Sequence, residues 1–460
     1  MLLASSAWSA EPAPAVATDV TDVTQVRFTV EKYKLANGLT VLLQPDNSVP
    51  TIAYHTWFRV GSKNEEVGFT GIAHLFEHMM FKGSKRYDGK QYDLLLQGNG
   101  AAFNAFTTHD YTGYYINMPS SKLELVMDME SDRMVNLQLN QPNLDSEREV
   151  VKEERRMRVD NNPAGVLTEG IFDTVFKVNP YRWPVIGYMH DIDAISLQKA
   201  QQFYRTYYAP NNAVLVIAGD FNPTQAKRLI EKYYGALAAQ PIPELKVQTE
   251  PEQKGQREST IHRRFQNILW SLAFPIPEVG SQDFFALDLI SNILGHGSSS
   301  RLYKKLVYQT QLASRASAST FGMQKPGIFE ILVSLKGDAD MQKVQEAVFN
   351  QIWKLRNQLV DDKELLKAKT QAMKDFVDGL KTSQGRAESL AFNEVIFGNY
   401  ENLFSDLQRY NAVTKEQIKD VATKYLNQWQ RNIVRLQPPG EAKTAQATPA
   451  KPSAPESKEN

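Results

Sequence analysis

A chain of 460 residues is longer than one compact core organises and suits two to four domains. Its 42% hydrophobic and 23% charged content is ordinary for a globular protein, and 52 basic against 52 acidic side chains leave no basic footprint for nucleic acid. The absence of cysteine excludes a disulfide framework and a thiolate metal site, and no apolar run approaches the roughly 20 residues that span a bilayer.

The chain opens on "MLLASSAWSAEPAPAVATDV", in which Ala15-Val16-Ala17 precedes Thr18. Despite lacking a basic segment, this reads as the end of a secretory signal, with a plain Ala/Pro leader as the alternative. Residues 1–25 are therefore set apart from the fold, and the expected location is periplasmic or secreted. "GLTVLLQPD" and "TIAYHTWFRVGS" then predict strands, rich in β-branched and aromatic residues between Gly, Asn and Pro. "GIAHLFEHMMFKG" predicts a helix with Gly83 as its stop. "AAFNAFTTHDYTGYYINMP" predicts two strands joined by a polar turn at Thr108–Asp110, and residues 121–160 are mostly helical. "AVLVIAGDF" has the continuous apolar character of a buried strand.

An internal repeat sets the architecture. "ISLQKAQQFYRTYYAPNNAVLVIA" (195–218) and "VTKEQIKDVATKYLNQWQRNIVRL" (413–436) align without gaps at an offset of 218 residues. Each begins at an N-cap, Ser196 or Thr414, and carries Tyr207 or Tyr425 ahead of an Asn-containing turn and an apolar strand. The expected organisation is a mixed α+β fold with two similar tandem domains, 26–237 and 260–437. The polar, Pro-containing stretch 238–259 links them. The Pro/Ala/Lys/Glu-rich residues 438–460 have little to bury and form a disordered tail.

Within the predicted helix lies His74-Leu75-Phe76-Glu77-His78. Residues four apart share a helix face, so His74 and His78 can converge on one metal ion. Glu77 lies near the same face, where it reaches the metal's water without being a ligand, the inverse of the H-E-x-x-H arrangement. The helix is otherwise apolar, and burying two imidazoles and a carboxylate is costly unless something satisfies them. The other histidines, His55, His109, His190, His262 and His296, are scattered. For a third ligand, "LDSEREVVKEERRMRVD" offers Glu154, which shares a helical face with Val150, Val151 and Met157, whereas Glu153 is rotated about 100° away. Glu147, two turns earlier on that face, would orient a histidine. On spacing alone, an exposed charged helix remains the rival reading.

H-x-x-E-H followed by a glutamate about 75 residues further on resembles the pitrilysin/insulinase metallopeptidases. Within that group the chain is most similar to the roughly 50 kDa members related to mitochondrial processing peptidase and their bacterial two-chain relatives. "GIAHLFEHMMFKGS", "NAFTTHDYTGYY", "EREVVKEERRMRVDN", "NPYRWPVIG", "YYAPNNAVLVIAGDF" and "SSSRLYKKLV" carry the likeness. The resemblance implies one zinc per chain on His74, His78 and Glu154, with Glu77 as general base and Glu147 as supporting carboxylate. It implies that Ala102, Phe103, Asn104 and Ala105 form an edge strand onto which an extended peptide pairs; a plain core strand is the alternative. It also implies mostly antiparallel sheets packed with helices, the two domains making half of a clamshell.

One feature of the family is missing. Its full members carry an Arg and a Tyr seven residues apart in the second domain, where this chain has Val307 and Ser314. Arg301 and Tyr308 have the right interval but lie too early. The expected assembly is a heterodimer with a zinc-less sister chain bearing the Arg/Tyr pair, a homodimer being the other option. The expected activity is endopeptidase hydrolysis of unfolded or short peptides in a closed chamber. Processing of one dedicated precursor, or a non-catalytic scaffold role, are the alternatives.

Overall fold

The computed structural model describes residues 26–439 apart from 246, 247 and 338. The leader 1–25 and nearly all of the tail lie outside the described residues. One sheet contains β1 (Glu31–Lys34), β2 (Thr40–Pro45), β3 (Thr51–Phe58), β4 (Ala102–Thr107), β5 (Thr112–Pro119) and β6 (Ala213–Gly219), in the spatial order β1-β2-β6-β3-β5-β4. A second contains β7 (Arg257–His262), β8 (Leu269–Ile276), β9 (Ala313–Phe321), β10 (Gly327–Leu335) and β11 (Asn432–Gln437), in the order β7-β11-β8-β10-β9. All pairings are antiparallel except β2–β6 and β7–β11.

The second sheet repeats the first without β1. β3 and β8 begin at Thr51 and Leu269, an interval of 218 residues that matches the sequence repeat. The two caps agree as well. Ser196 Oγ accepts from the Lys199 N–H at 3.2 Å, and Thr414 forms a capping box with Gln417. The chain is thus a mixed α/β protein of two tandem, similarly wound domains.

β6 is apolar and buried along its whole length because both sheet faces are covered. One face carries the main core of the first half, which includes the Ile72–Met79 helix. The opposite face, with Leu42, Ala53, Trp57, Val214 and Val216, is covered by Ala387, Leu390, Ala391 and Val395 from the Ser383–Phe397 helix of the second half. The reverse also holds. Leu167, Ile171 and Val175 of the Pro163–Val175 helix pack on Leu269, Ala273, Ile328 and Val434 of the second sheet. Each half therefore lends a helix to the other.

Two boundaries differ from expectation. β7 begins at Arg257, so the last residues of the 238–259 stretch belong to the second sheet. The metal-motif helix ends at Met79, before Gly83. Gly83 instead takes φ +97° in a turn where a Cβ would meet the Gly89 nitrogen at 2.6 Å.

Candidate metal centre

The Ile72–Met79 helix is held at both ends. Gly71 caps it with φ +91°, at a spot where a Cβ would lie 2.5 Å from the Ile186 carbonyl oxygen. Buried Glu65 accepts from the Gly71 and Ala73 N–H groups, each at 2.9 Å, so a carboxylate satisfies orphan donors at the positive end of the helix dipole. Near the far end, the Tyr114 hydroxyl donates to the Phe76 carbonyl at 3.2 Å. Ile72, Ala73, Leu75, Phe76 and Met79 enter the core, which turns His74, Glu77 and His78 toward a cavity of about 630 Å³.

Their ligand atoms form the one group of three His, Asp or Glu side chains, among the described residues, lying within 4.8 Å of one another. Glu154, from the Gln141–Arg155 helix, is not one of that group of three but approaches both imidazoles. Its Oε2 is 3.1 Å from His78 Nε2 and 3.7 Å from His74 Nε2. Tetrahedral zinc with bonds near 2.0–2.1 Å requires ligand atoms about 3.3 Å apart, and these two distances straddle that value. Two imidazole nitrogens and one carboxylate oxygen are also the donor set of catalytic zinc sites. The residues fit the ion.

Surrounding groups define the electrostatics. Burial and the neighbouring His78 push His74 down to about 4. For His78, burial works in the same sense, but hydrogen bonds to Glu147 and Glu154 outweigh it and raise the imidazole to about 9. Glu147 Oε2 lies 3.5 Å from His78 Nδ1, and its other oxygen pairs with Lys82. Although burial opposes it, those contacts hold the Glu147 carboxyl below the usual range. The hydrogen bond to His78, ahead of other causes, lowers Glu154 too. Glu154 Oε1 receives Arg158 Nη1 at 2.9 Å. Burial raises Glu77, while Thr107, whose hydroxyl donates to Glu77 Oε2 at 2.7 Å, pulls the other way.

Glu154 reaches the cluster for a reason other than the one read from spacing. Val150 and Met157 are exposed, and the buried stripe of this helix runs through Leu144, Glu147, Val151 and Arg155. Glu154 sits at the edge of that stripe, two turns after Glu147. Glu153 pairs outward with Arg156.

β4 is an edge strand, paired through Ala102–Thr107 with β5 alone. Asn104 and Ala105 line the cavity; Phe103 packs instead against Phe81 and Tyr92, and exposed Ala102 stands outside it. Phe106, Thr107 and His109 also line the cavity, together with Val159, Phe172, Val185 and Ile186. His109 lies flat on Phe172 and stays out of the ligand cluster. The Glu65 clamp and the Thr107 hydroxyl carry no local sequence signal, because their partners come from other elements. In the second half, Arg301 forms a paired contact with Glu364, Tyr308 is exposed, and Ser314 Oγ bonds Ser334 Oγ at 3.1 Å. Val307 packs against the second core.

Residues 40–187 match the insulinase family, peptidase family M16, and residues 194–372 match the peptidase M16 inactive domain. The zinc protease PqqE of Helicobacter pylori is 31% identical over 420 residues, covering 89% of this chain and 93% of that protein. The crystal structure of a protease from Helicobacter pylori superimposes with a TM-score of 0.86 at 30% identity, covering 90% of this chain and 100% of that one. The periplasmic protease PqqL of Escherichia coli shares the fold, with a TM-score of 0.73 at 19% identity; 90% of this chain matches 48% of that one.

Proposed function

Because the chain belongs to the insulinase family, peptidase family M16, we propose that it is a zinc-dependent endopeptidase subunit acting on unfolded or short peptides. His74, His78 and Glu154 would hold one zinc ion, and the observation that carries the reading is the approach of Glu154 Oε2 to both imidazoles, at 3.1 and 3.7 Å. Zinc bound there supplies Lewis acidity, which polarises the scissile carbonyl and acidifies water.

The remaining chemistry belongs to the chain. Glu77 stands beside the two imidazoles without joining the ligands. Its carboxylate takes a proton from the attacking water and returns it to the departing amine nitrogen. Glu147 holds His78 through Nδ1, which would leave Nε2 free to bind a zinc ion. The open edge of β4 receives an extended peptide through main-chain hydrogen bonds, so sequence preference is loose. Ala102 and Phe103 would contribute backbone, whereas Asn104 and Ala105 also face the cavity.

A sister chain would supply the Arg/Tyr pair. Support comes from the exposed position of Tyr308, from the engagement of Arg301 with Glu364, and from a fold that matches about half of the longer PqqL chain. Two such halves closing on each other would form the chamber. Among the described residues no helix is long and apolar enough to cross a membrane. A periplasmic location rests on the signal-like leader.

Cleavage of a flexible internally quenched peptide tests the reading, using the purified chain with and without a sister chain that bears the Arg/Tyr pair. The expected outcome is weak cleavage alone, a gain with the partner, and abolition by Glu77→Gln with zinc retained. Activity that survives Glu77→Gln would remove the assigned base.

A further inference from the structure

We infer that Thr107 is the positioning residue that aims the Glu77 carboxylate, so that one strand holds both the base and the peptide. The inference rests on the peptidase reading above. Among the described residues the Thr107 hydroxyl is the hydrogen-bond donor to Glu77, at 2.7 Å from Oε2. Glu77 otherwise stands at the cavity wall, with His74 Nε2 3.9 Å from the same oxygen. With Oε2 held beside the imidazoles, the carboxylate keeps one orientation in which to take the proton from the attacking water, and the Thr107 hydroxyl keeps its own proton throughout.

Thr107 is well suited to fix a direction. A β-branched side chain has restricted χ1, so its hydroxyl is aimed by the backbone. That backbone is pinned where β4 ends. Thr107 pairs with buried Thr112, whose hydroxyl donates to the Val60 carbonyl at 2.9 Å. In the following turn the Thr108 N–H donates to the Tyr111 carbonyl at 2.8 Å. Buried Asp110 is clamped by Lys63 at 2.8 Å, by the Tyr181 hydroxyl at 2.6 Å and by the Gln324 N–H at 2.9 Å. Ala105, two residues back, shares the Thr107 face of the strand and lines the same cavity. A peptide registered on β4 is thereby registered to the base without any domain movement, and misplacement of about 1 Å is enough to cost catalysis heavily.

Thr107→Val keeps the shape and removes the donor, whereas Thr107→Ser keeps the donor. With the flexible quenched peptide and the active assembly, the expected kcat for Thr107→Val is lower by about 10- to 100-fold, with KM within about two-fold. Thr107→Ser should recover most of the rate. Two readouts are independent of turnover: zinc per chain, and peptide affinity by fluorescence anisotropy in Glu77→Gln with and without Thr107→Val. Both should stay unchanged. A Thr107→Val rate equal to wild type overturns the inference. So does lost zinc, lost peptide affinity, or a Thr107→Ser enzyme as slow as Thr107→Val, since each would show a purely structural role. A wild-type assembly that binds zinc but cleaves no peptide would overturn the peptidase reading, and this inference with it.

Discussion

In the middle of β3, His55 has no exposed surface, and its Nε2 meets Gln384 Oε1 at 2.8 Å. Burial pushes the imidazole down to about 4, so the folded chain keeps it neutral while the unfolded chain protonates it near 6.5. Its contribution to stability is complete above the unfolded value and is lost as pH falls from about 6.5 toward about 4. The expected loss from this one group between pH 7.5 and 5 is about 2 kcal/mol. Denaturant unfolding at the two pH values measures it, and His55→Gln should flatten the slope; an unchanged slope would refute the assignment. Half-buried His109, whose imidazole is also pushed down to about 4 by burial, adds to the slope with the same sign. At this scale the sequence exposed the chemistry but not its supports. The i, i+4 spacing of His74 and His78 was legible because helical geometry alone brings them together. Glu154 shares its helical face with Val150 and Met157, which the fold leaves exposed, whereas its spacing from Glu147 follows the buried stripe of the helix. Glu65 and Thr107 were illegible because a cap and an orienting hydroxyl depend on where other elements land.

Among the elements, the exchange of helices has the widest consequence. Periodicity announces that the Ser383–Phe397 helix has an apolar face, but it says nothing about which sheet that face will cover. Leu390 and Ala391 meet Leu42, Trp57 and Val216, across most of the chain length. Arg386 reinforces the contact by bonding Asp46 at 2.6 Å and Gln44 at 2.9 Å, and Lys32 reaches Glu394 at 2.8 Å. The halves are therefore similar in winding but not independent in packing. A fragment of residues 26–237 would leave Trp57, Val214 and Val216 facing water, a contiguous apolar sheet face of the kind that drives association. It is expected to aggregate or to lack a cooperative unfolding transition, as read by size-exclusion chromatography and thermal circular dichroism. A monomeric, cooperatively folding fragment would show that the borrowed helix is dispensable. The strands and the repeat were readable from β-branched runs and matched caps, because those signals are local.

Across the whole molecule, one topology is used twice and the residues proposed to hold the metal lie in the first copy. The fold presents an edge strand, a cavity and a held carboxylate side by side, and the second half contributes the helix that seals the first sheet. The proposed assembly adds a sister chain for the Arg/Tyr contribution, and the proposed chemistry depends on one cation. Anomalous diffraction at the zinc absorption edge, from crystals grown with zinc, reads that cation directly. The expected result is a single peak per chain, about 2.0–2.2 Å from His74 Nε2, His78 Nε2 and a Glu154 oxygen, with Glu77 outside bonding distance. An empty site under those conditions, or a zinc ion held without Glu154, would contradict the assignment.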